Sequence, residues 1–405
     1  MKFDKKYDIL IIGGLGHVGL PLGIAFANKG LKVCLYDIDK DKADQVSRGE
    51  MPFIEYGADP ILKKVIGNEL TVSTEMEEVA FAKHVVVAIG TPVDEYLSPK
   101  LRGFFSLFEK FANYLDESQT IIIRSTVYPK VCEQLEKFLL KKGLAINIAY
   151  CPERIIQGYS IKELNELPQI VAGLNQVAEK KAIDLFSTLS PKIIPTKMGE
   201  AELIKLFANA WRYISFAISN QFYMIATMHG ENYDSIRKAL MDGYGRAANI
   251  PGAGFTAGPC LLKDTMQLAS FTANTFQLGH AAMMVNEGLP DFIVTQLRFT
   301  HDLSKVTVGI LGMAFKADID DTRDSLSFRL RKSLMFQNAK VVCSDYIVND
   351  PNFISKELLV EQSDIIIIGV PHSDYKGIQF PMNKVVIDLW GISKLVVPSS
   401  VTFNS

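Results

Sequence analysis

The stretch Ile9-Leu10-Ile11-Ile12-Gly13-Gly14-Leu15-Gly16-His17-Val18-Gly19 constrains this chain more than any other. It reads as an apolar strand that runs into G-x-G-x-x-G and then into the helical pattern of residues 20–29. Gly14, Gly16 and Gly19 permit a tight turn, the close approach of a pyrophosphate and the packing of helix on strand. His17 and Val18 occupy the variable positions, where the helix N-terminus offers free N–H groups and the positive end of its dipole. Asp37 ends the next apolar run, Val33-Cys34-Leu35-Tyr36-Asp37. A carboxylate there accepts hydrogen bonds from ribose hydroxyls and repels a 2′-phosphate. The blander reading, a Gly-rich turn closing an α/β unit, is outweighed by strand, fingerprint, helix and acid together. The expected cofactor is NAD in preference to NADP.

The same strand rhythm recurs. Apolar, β-branched runs at 7–12, 31–36, 84–89, 120–124, 146–150 and 169–172 alternate with helical stretches, which implies a parallel sheet of βα units. The rhythm stops between about 198 and 298. Residues 201–229 hold neither Pro nor Gly and carry apolar side chains at helical spacing, so they read as one helix about 43 Å long. That is longer than a small domain needs, and part of it is expected to pack against a second copy of the chain as a homodimer. Strands return at 306–311, 340–344, 364–370 and 384–389. The expected fold is α/β: two Rossmann-like parallel-sheet domains, 1–198 and 301–405, joined by a central helical domain, 199–300, with one long helix.

Charge and cysteine content exclude several classes. Among 405 residues, 43 basic and 45 acidic side chains leave a net charge of −2, so no basic field invites nucleic acid or anionic lipid. No apolar run approaches the roughly 18 residues of a spanning helix, and Met1-Lys2-Phe3-Asp4-Lys5-Lys6 opens directly into a strand. A cytoplasmic protein without membrane attachment is expected. Five cysteines without a C-x-x-C pair argue against a disulfide scaffold and against a thiolate metal cage, and no metal is expected.

Cys34 and Cys343 fall in strands and Cys132 in a helical stretch, as core residues do. Cys260 differs. It follows the Gly-rich run Gly252-Ala253-Gly254-Phe255-Thr256-Ala257-Gly258-Pro259 at the start of a helix, with Lys263 one turn on. A helix N-terminus and a nearby ammonium both favour thiolate, which leaves nucleophile and structural cysteine both open. Lys205, Asn209 and Arg212 stand at i, i+4 and i+7 of the long helix, either as a solvated stripe or as the lining of a cleft. Gly90-Thr91-Pro92 and Ser125-Thr126-Val127 follow strand ends, where open α/β sheets bind ligands. Taken singly, Thr91 and Thr126 read as turn formers. In the third region, Val308-Gly309-Ile310-Leu311-Gly312-Met313-Ala314-Phe315-Lys316 repeats strand and turn without the dinucleotide fingerprint, and Lys316 and Arg323 supply cations after it.

Together these residues resemble the UDP-glucose/GDP-mannose dehydrogenase family across essentially the whole chain. The carriers are Gly14-Leu15-Gly16-His17-Val18-Gly19-Leu20-Pro21, Gly90-Thr91-Pro92, Ser125-Thr126-Val127, Pro152-Glu153-Arg154, Lys205 with Asn209, Gly258-Pro259-Cys260-Leu261-Leu262-Lys263-Asp264, and Gly312-Met313-Ala314-Phe315-Lys316. The resemblance implies NAD-dependent, four-electron oxidation of C6 of a UDP-hexose through a thiohemiacetal and a thioester on Cys260. It implies that Lys205, Asn209 and Asp264 surround C6, and that Glu153 and Thr126 position or activate water. Arg154, Arg246, the backbone of 249–254 (Asn249 and Gly254 at its ends) and Lys316 would hold the UDP-sugar, while Lys263, Arg323 and Thr91 would reach the cofactor. Ala257 before Gly258, Gln157 in place of a usual proline and Trp390 in place of a usual arginine depart from the family pattern. Arg212 resembles the branch acting on UDP-N-acetylhexosamines, with UDP-glucose the alternative substrate. Two other readings stay on the table: a two-electron dehydrogenase of a small hydroxy acid, and a non-catalytic protein that binds NAD and a UDP-sugar.

Overall fold

A computed structural model describes residues 4–91, 93–94, 100–273 and 275–393. Pro92, in one of the quoted motifs, lies outside them. The chain divides into two compact units, Met1–Ala208 and Asn209–Ser405.

In the first unit the order is β1 (Tyr7–Ile12), α1 (Gly19–Asn28), β2 (Val33–Tyr36), α2 (Lys40–Ser47), α3 (Ala58–Val65), β3 (Leu70–Ser73), β4 (Ala82–Val87), α4 (Leu101–Phe111), β5 (Thr120–Ile123), α5 (Val131–Lys141), β6 (Asn147–Tyr150), α6 (Ser160–Glu166), β7 (Gln169–Gly173), α7 (Gln176–Phe186) and β8 (Ile193–Pro195). Among the described residues these strands form one eight-stranded sheet in the order β3-β2-β1-β4-β5-β6-β7-β8. The chain order reverses between β1 and β4, so their carboxyl ends frame the crevice in which sheets of this kind bind ligands. Strand side chains are buried on both faces: Ile9 and Ile11 pack with α1, α3 and α7, and Leu10 and Ile12 with α4 and α5. The expected sheet is corrected in one respect, because β7 runs antiparallel to β6. Residues 151–168, with the short helix Ser160–Glu166 among them, join the two strands. The edge strands β3 and β8 were not expected from sequence, being only four and three residues long.

A single helix, α8 (Met198–Met228), of 31 residues, runs from the first unit into the second. After it come α9 (Tyr233–Met241), α10 (Leu261–Phe271), α11 (Gln277–Thr300), β9 (Thr307–Leu311), α12 (Leu326–Phe336), β10 (Lys340–Ser344), α13 (Lys356–Gln362), β11 (Ile365–Ile368) and β12 (Val385–Asp388). The four strands form a parallel sheet in the order β10-β9-β11-β12. Leu289, Ile293, Val294 and Leu297 of α11 pack with Val308 and Ile310 of β9 and with α12 in one core that also takes in Phe255. Cys34, Cys132, Cys151 and Cys343 are buried, whereas Cys260 is exposed.

Candidate active site

In the first unit the glycine turn has the form the sequence requires. A Cβ on Gly19 would collide with the carbonyl oxygen of Gly13, so helix and turn meet too closely for any other residue. Gly16 lies open by comparison, with only Gly13 O within reach of a Cβ, at 3.6 Å. Its missing side chain thus leaves room for a ligand, as a pyrophosphate at the start of α1 demands. Asp37 takes N–H bonds from Leu15 (3.1 Å), Ile38 (2.8 Å) and Asp39 (3.3 Å), which ties the end of β2 to the turn. A carboxylate has about four lone-pair sites, and capacity for ribose hydroxyls remains. The imidazole of His17 meets the Gln157 side-chain amide at 3.0 Å and lies against the Phe53 ring at 3.9 Å. The residue that departs from the family pattern at 157 is thereby bonded to the phosphate turn.

The two threonine motifs come together. The Thr91 hydroxyl donates to the Thr126 carbonyl (2.7 Å), and the Ser125 hydroxyl donates to the carbonyls of Ile89 (2.8 Å) and Val87 (3.2 Å). Beneath them Arg124, almost fully buried, pairs with Glu153 (Nε to Oε2, 2.8 Å) and donates to the Cys151 carbonyl and to Gln169 Oε1, both at 3.0 Å. Its guanidinium lies over the Phe186 ring. Glu153 Oε1 accepts the N–H groups of Arg154 (2.7 Å) and Ile155 (2.9 Å). Both oxygens of Glu153 are engaged, which suits a group that fixes the Pro152-Glu153-Arg154 turn. Arg154 donates to the Pro168 carbonyl. Glu202, in the second turn of α8, accepts from Lys130 N (2.7 Å) and Cys132 N (3.1 Å) at the N-terminus of α5. Lys205 lies one turn further along and is half-buried.

In the second unit Cys260 is the N-cap residue of α10, exposed, with no side-chain capping bond. Asp264, buried one turn into α10, is bracketed by Asn209 Nδ2 (2.5 Å) and Lys263 Nζ (2.7 Å). The ammonium expected near the thiol is thus paired with this carboxylate. Arg323, hydrogen-bonded to Asp321 (Nε to Oδ1, 3.0 Å), has its pKa raised first by that bond and, to a lesser degree, by the charge of Cys260. Arg323 precedes Asp324, whose carbonyl accepts the Gly258 N–H (3.4 Å), two residues before the thiol. No spacing rule joins residues 63 positions apart, and only the fold reveals this neighbour. By contrast, burial pushes the thiols of Cys34 and Cys151 up to about 12 and that of Cys343 to about 11.

The polar row on α8 divides: Asn209 is buried against Asp264, whereas Arg212 is exposed. Arg246 is exposed over the Tyr244 ring, and Asn249 is exposed. Gly254 differs from the expectation that its backbone holds the sugar. Its N–H donates to Asn220 Oδ1 (2.9 Å) and its carbonyl accepts from Asn220 Nδ2 (3.1 Å). Lys316 is half-buried in the loop that follows β9.

Residues 8–190 match the NAD binding domain of the UDP-glucose/GDP-mannose dehydrogenase family, residues 199–288 its central domain and residues 309–394 its UDP binding domain. The chain belongs to that family and is an NAD-dependent UDP-sugar dehydrogenase. It is 29% identical to a UDP-N-acetyl-D-mannosamine dehydrogenase of Pyrococcus horikoshii over 93% of each chain. It is 26% identical to one of Campylobacter jejuni, over 93% of this chain and 98% of that one. A solved UDP-D-ManNAc dehydrogenase of P. horikoshii superposes with a TM-score of 0.88 over 98% of this chain and 97% of its own, at 28% identity. A UDP-glucose dehydrogenase structure from Pyrobaculum islandicum, 22% identical, shares the fold with a TM-score of 0.86 over 97% of each chain.

Proposed function

We propose that the protein oxidises the C6 hydroxymethyl group of a UDP-N-acetylhexosamine, UDP-N-acetyl-D-mannosamine first among them, to the uronic acid in four electrons. The observation that carries this is Cys260: the one exposed cysteine of five, at a helix N-terminus and one turn before a buried Asp264–Asn209 pair. The sugar follows the relatives that bear that name and is supported by Arg212. The glycine turn and Asp37 hold NAD, which supplies the hydride acceptor used twice per sugar. Lys205 and a water on Asp264 stabilise the developing alkoxide. The Cys260 thiolate then adds to the aldehyde carbon. Loss of the second hydride turns this thiohemiacetal into a thioester, and one water hydrolyses it to carboxylate and free thiol. Glu153, locked by Arg124, and Thr126 order that water.

The functional segments are 1–198 for NAD, 199–300 for dimerisation and 301–405 for UDP. A homodimer is supported by the apolar side chains that α8 leaves exposed: Phe207, Trp211, Ile218, Phe222 and Ile225, on one face. Among the described residues no helix is long and apolar enough to cross a membrane, and all five cysteines are free. The free thiols support a cytoplasmic setting.

The test is a panel of UDP-hexoses read by NADH absorbance. Two NADH per sugar and a preference for UDP-N-acetyl-D-mannosamine are expected. Cys260→Ser should stop turnover before the acid, and near-normal turnover of Cys260→Ser or one NADH per sugar overturns the reading.

A further inference from the structure

The run from Gly254 to Cys260 is held from behind by groups that the chemistry above does not use. Asn220, fully buried on α8, grips the Gly254 peptide at both its N–H and its carbonyl. The same Nδ2 donates to Asn286 Oδ1 (2.9 Å), and Asn286, also fully buried, donates to the Tyr213 carbonyl (3.0 Å). This second bond fixes which way the Asn286 amide faces and, through it, which way the Asn220 amide faces. Gly254, with φ +150°, could carry no side chain, since a Cβ would enter the Trp390 ring. That ring is itself pinned by its Nε1–H to the Ile368 carbonyl (3.1 Å). Ser219, next to Asn220, donates to the Pro251 carbonyl (2.8 Å). Further along, Gly258 passes under Phe315, with a Cβ position only 2.6 Å from the ring. Two buried amides and two aromatic rings therefore set the path of the backbone into Cys260.

Burying an amide pair is costly unless every group is matched, and a matched network selects one backbone arrangement over its neighbours. Apolar side chains would fill the same space without that selectivity. We propose that Asn220, oriented by Asn286 and backed by Trp390, is a positioning residue that holds the Cys260 thiol at the α10 N-terminus. The proposal rests on the reading of Cys260 as nucleophile, but its test does not need turnover.

Cys260 is the exposed thiol, so its alkylation by iodoacetamide can be followed against pH in the full-length protein without substrate. In Asn220→Ala the alkylation curve should move to higher pH, because the thiol leaves the stabilising helix N-terminus. With substrate, kcat should fall about tenfold or more and the KM for the UDP-sugar should rise, while the KM for NAD stays within about twofold, as displacement of one reacting group predicts. An unmoved alkylation curve in the folded variant overturns the proposal whatever the activity. If Asn220→Ala does not fold, Asn286→Ala, which keeps the Asn220 side chain but removes what orients it, is read in the same way. A moved curve in a protein that oxidises no UDP-sugar upholds the positioning role and overturns the proposed function instead.

Discussion

Two acids show what a residue-scale reading can and cannot extract. Asp37 and Asp345 each follow the second strand of a βαβ unit, and each binds the turn after the first. Asp37 keeps capacity for a ligand. Asp345 does not: it accepts N–H bonds from Met313 (2.6 Å), Ala314 (3.1 Å), Ile347 (2.8 Å) and Val348 (2.9 Å) and meets His372 Nε2 at 3.1 Å. The turn N–H groups that would face a pyrophosphate are thus satisfied internally, which gives the broken fingerprint at Gly312-Met313-Ala314 a physical meaning. Burial opposes the charge on Asp345 most strongly, yet His372 and these N–H bonds bring it down to about 2. A depressed acid stabilises the fold fully above its unfolded value, 3.8, and loses that contribution as pH falls towards about 2. Asp345→Asn should therefore lower stability near pH 7 by about 2 kcal/mol and flatten the acid limb between about pH 4 and 2, as thermal unfolding against pH would show. The role of Asp345 is not legible in the sequence, because four of its partners are backbone groups.

At the scale of elements, α1 and α10 begin where their sequences place them, α8 begins three residues before the expected 201, and the joints between elements depend on contacts between distant segments. The second turn of α8 caps α5 through Glu202, a residue that no motif singles out. Burial raises its pKa against the pull of the two N–H bonds, so it sits in the fold as a costly but committed cap. Glu202→Ala should cost about 1–2 kcal/mol, the usual value of a lost N-cap. Because Lys205 lies one turn beyond and Thr126 lies shortly before α5, the loss should also appear as a fall in kcat larger than any change in the KM for NAD. A stability loss alone, with kcat intact, would limit Glu202 to capping. The same dependence holds for β7. Its composition reads as a strand, but its antiparallel direction against β6 is set by pairing that composition does not show.

At the scale of the whole molecule, the proposed homodimer rests on the exposed apolar face of α8, where Trp211 is 73% exposed and Ile218 48%. Light scattering should find twice the chain mass of 45.0 kDa, and Trp211→Glu with Ile218→Glu should bring it to one chain. A native protein that runs as a monomer would remove the dimer from the proposal. The sequence by itself determined the alternation of strands and helices, the phosphate turn with its acid, and the separation of Cys260 from its buried counterparts, because each depends on residues close together in the chain. Only the tertiary structure decided that the Gly258 N–H meets the Asp324 carbonyl, that Arg124 locks Glu153, and that Asn220 grips Gly254. Those pairings join residues that are distant in sequence, and burial, which makes an unmatched charge or amide expensive, is what selects them.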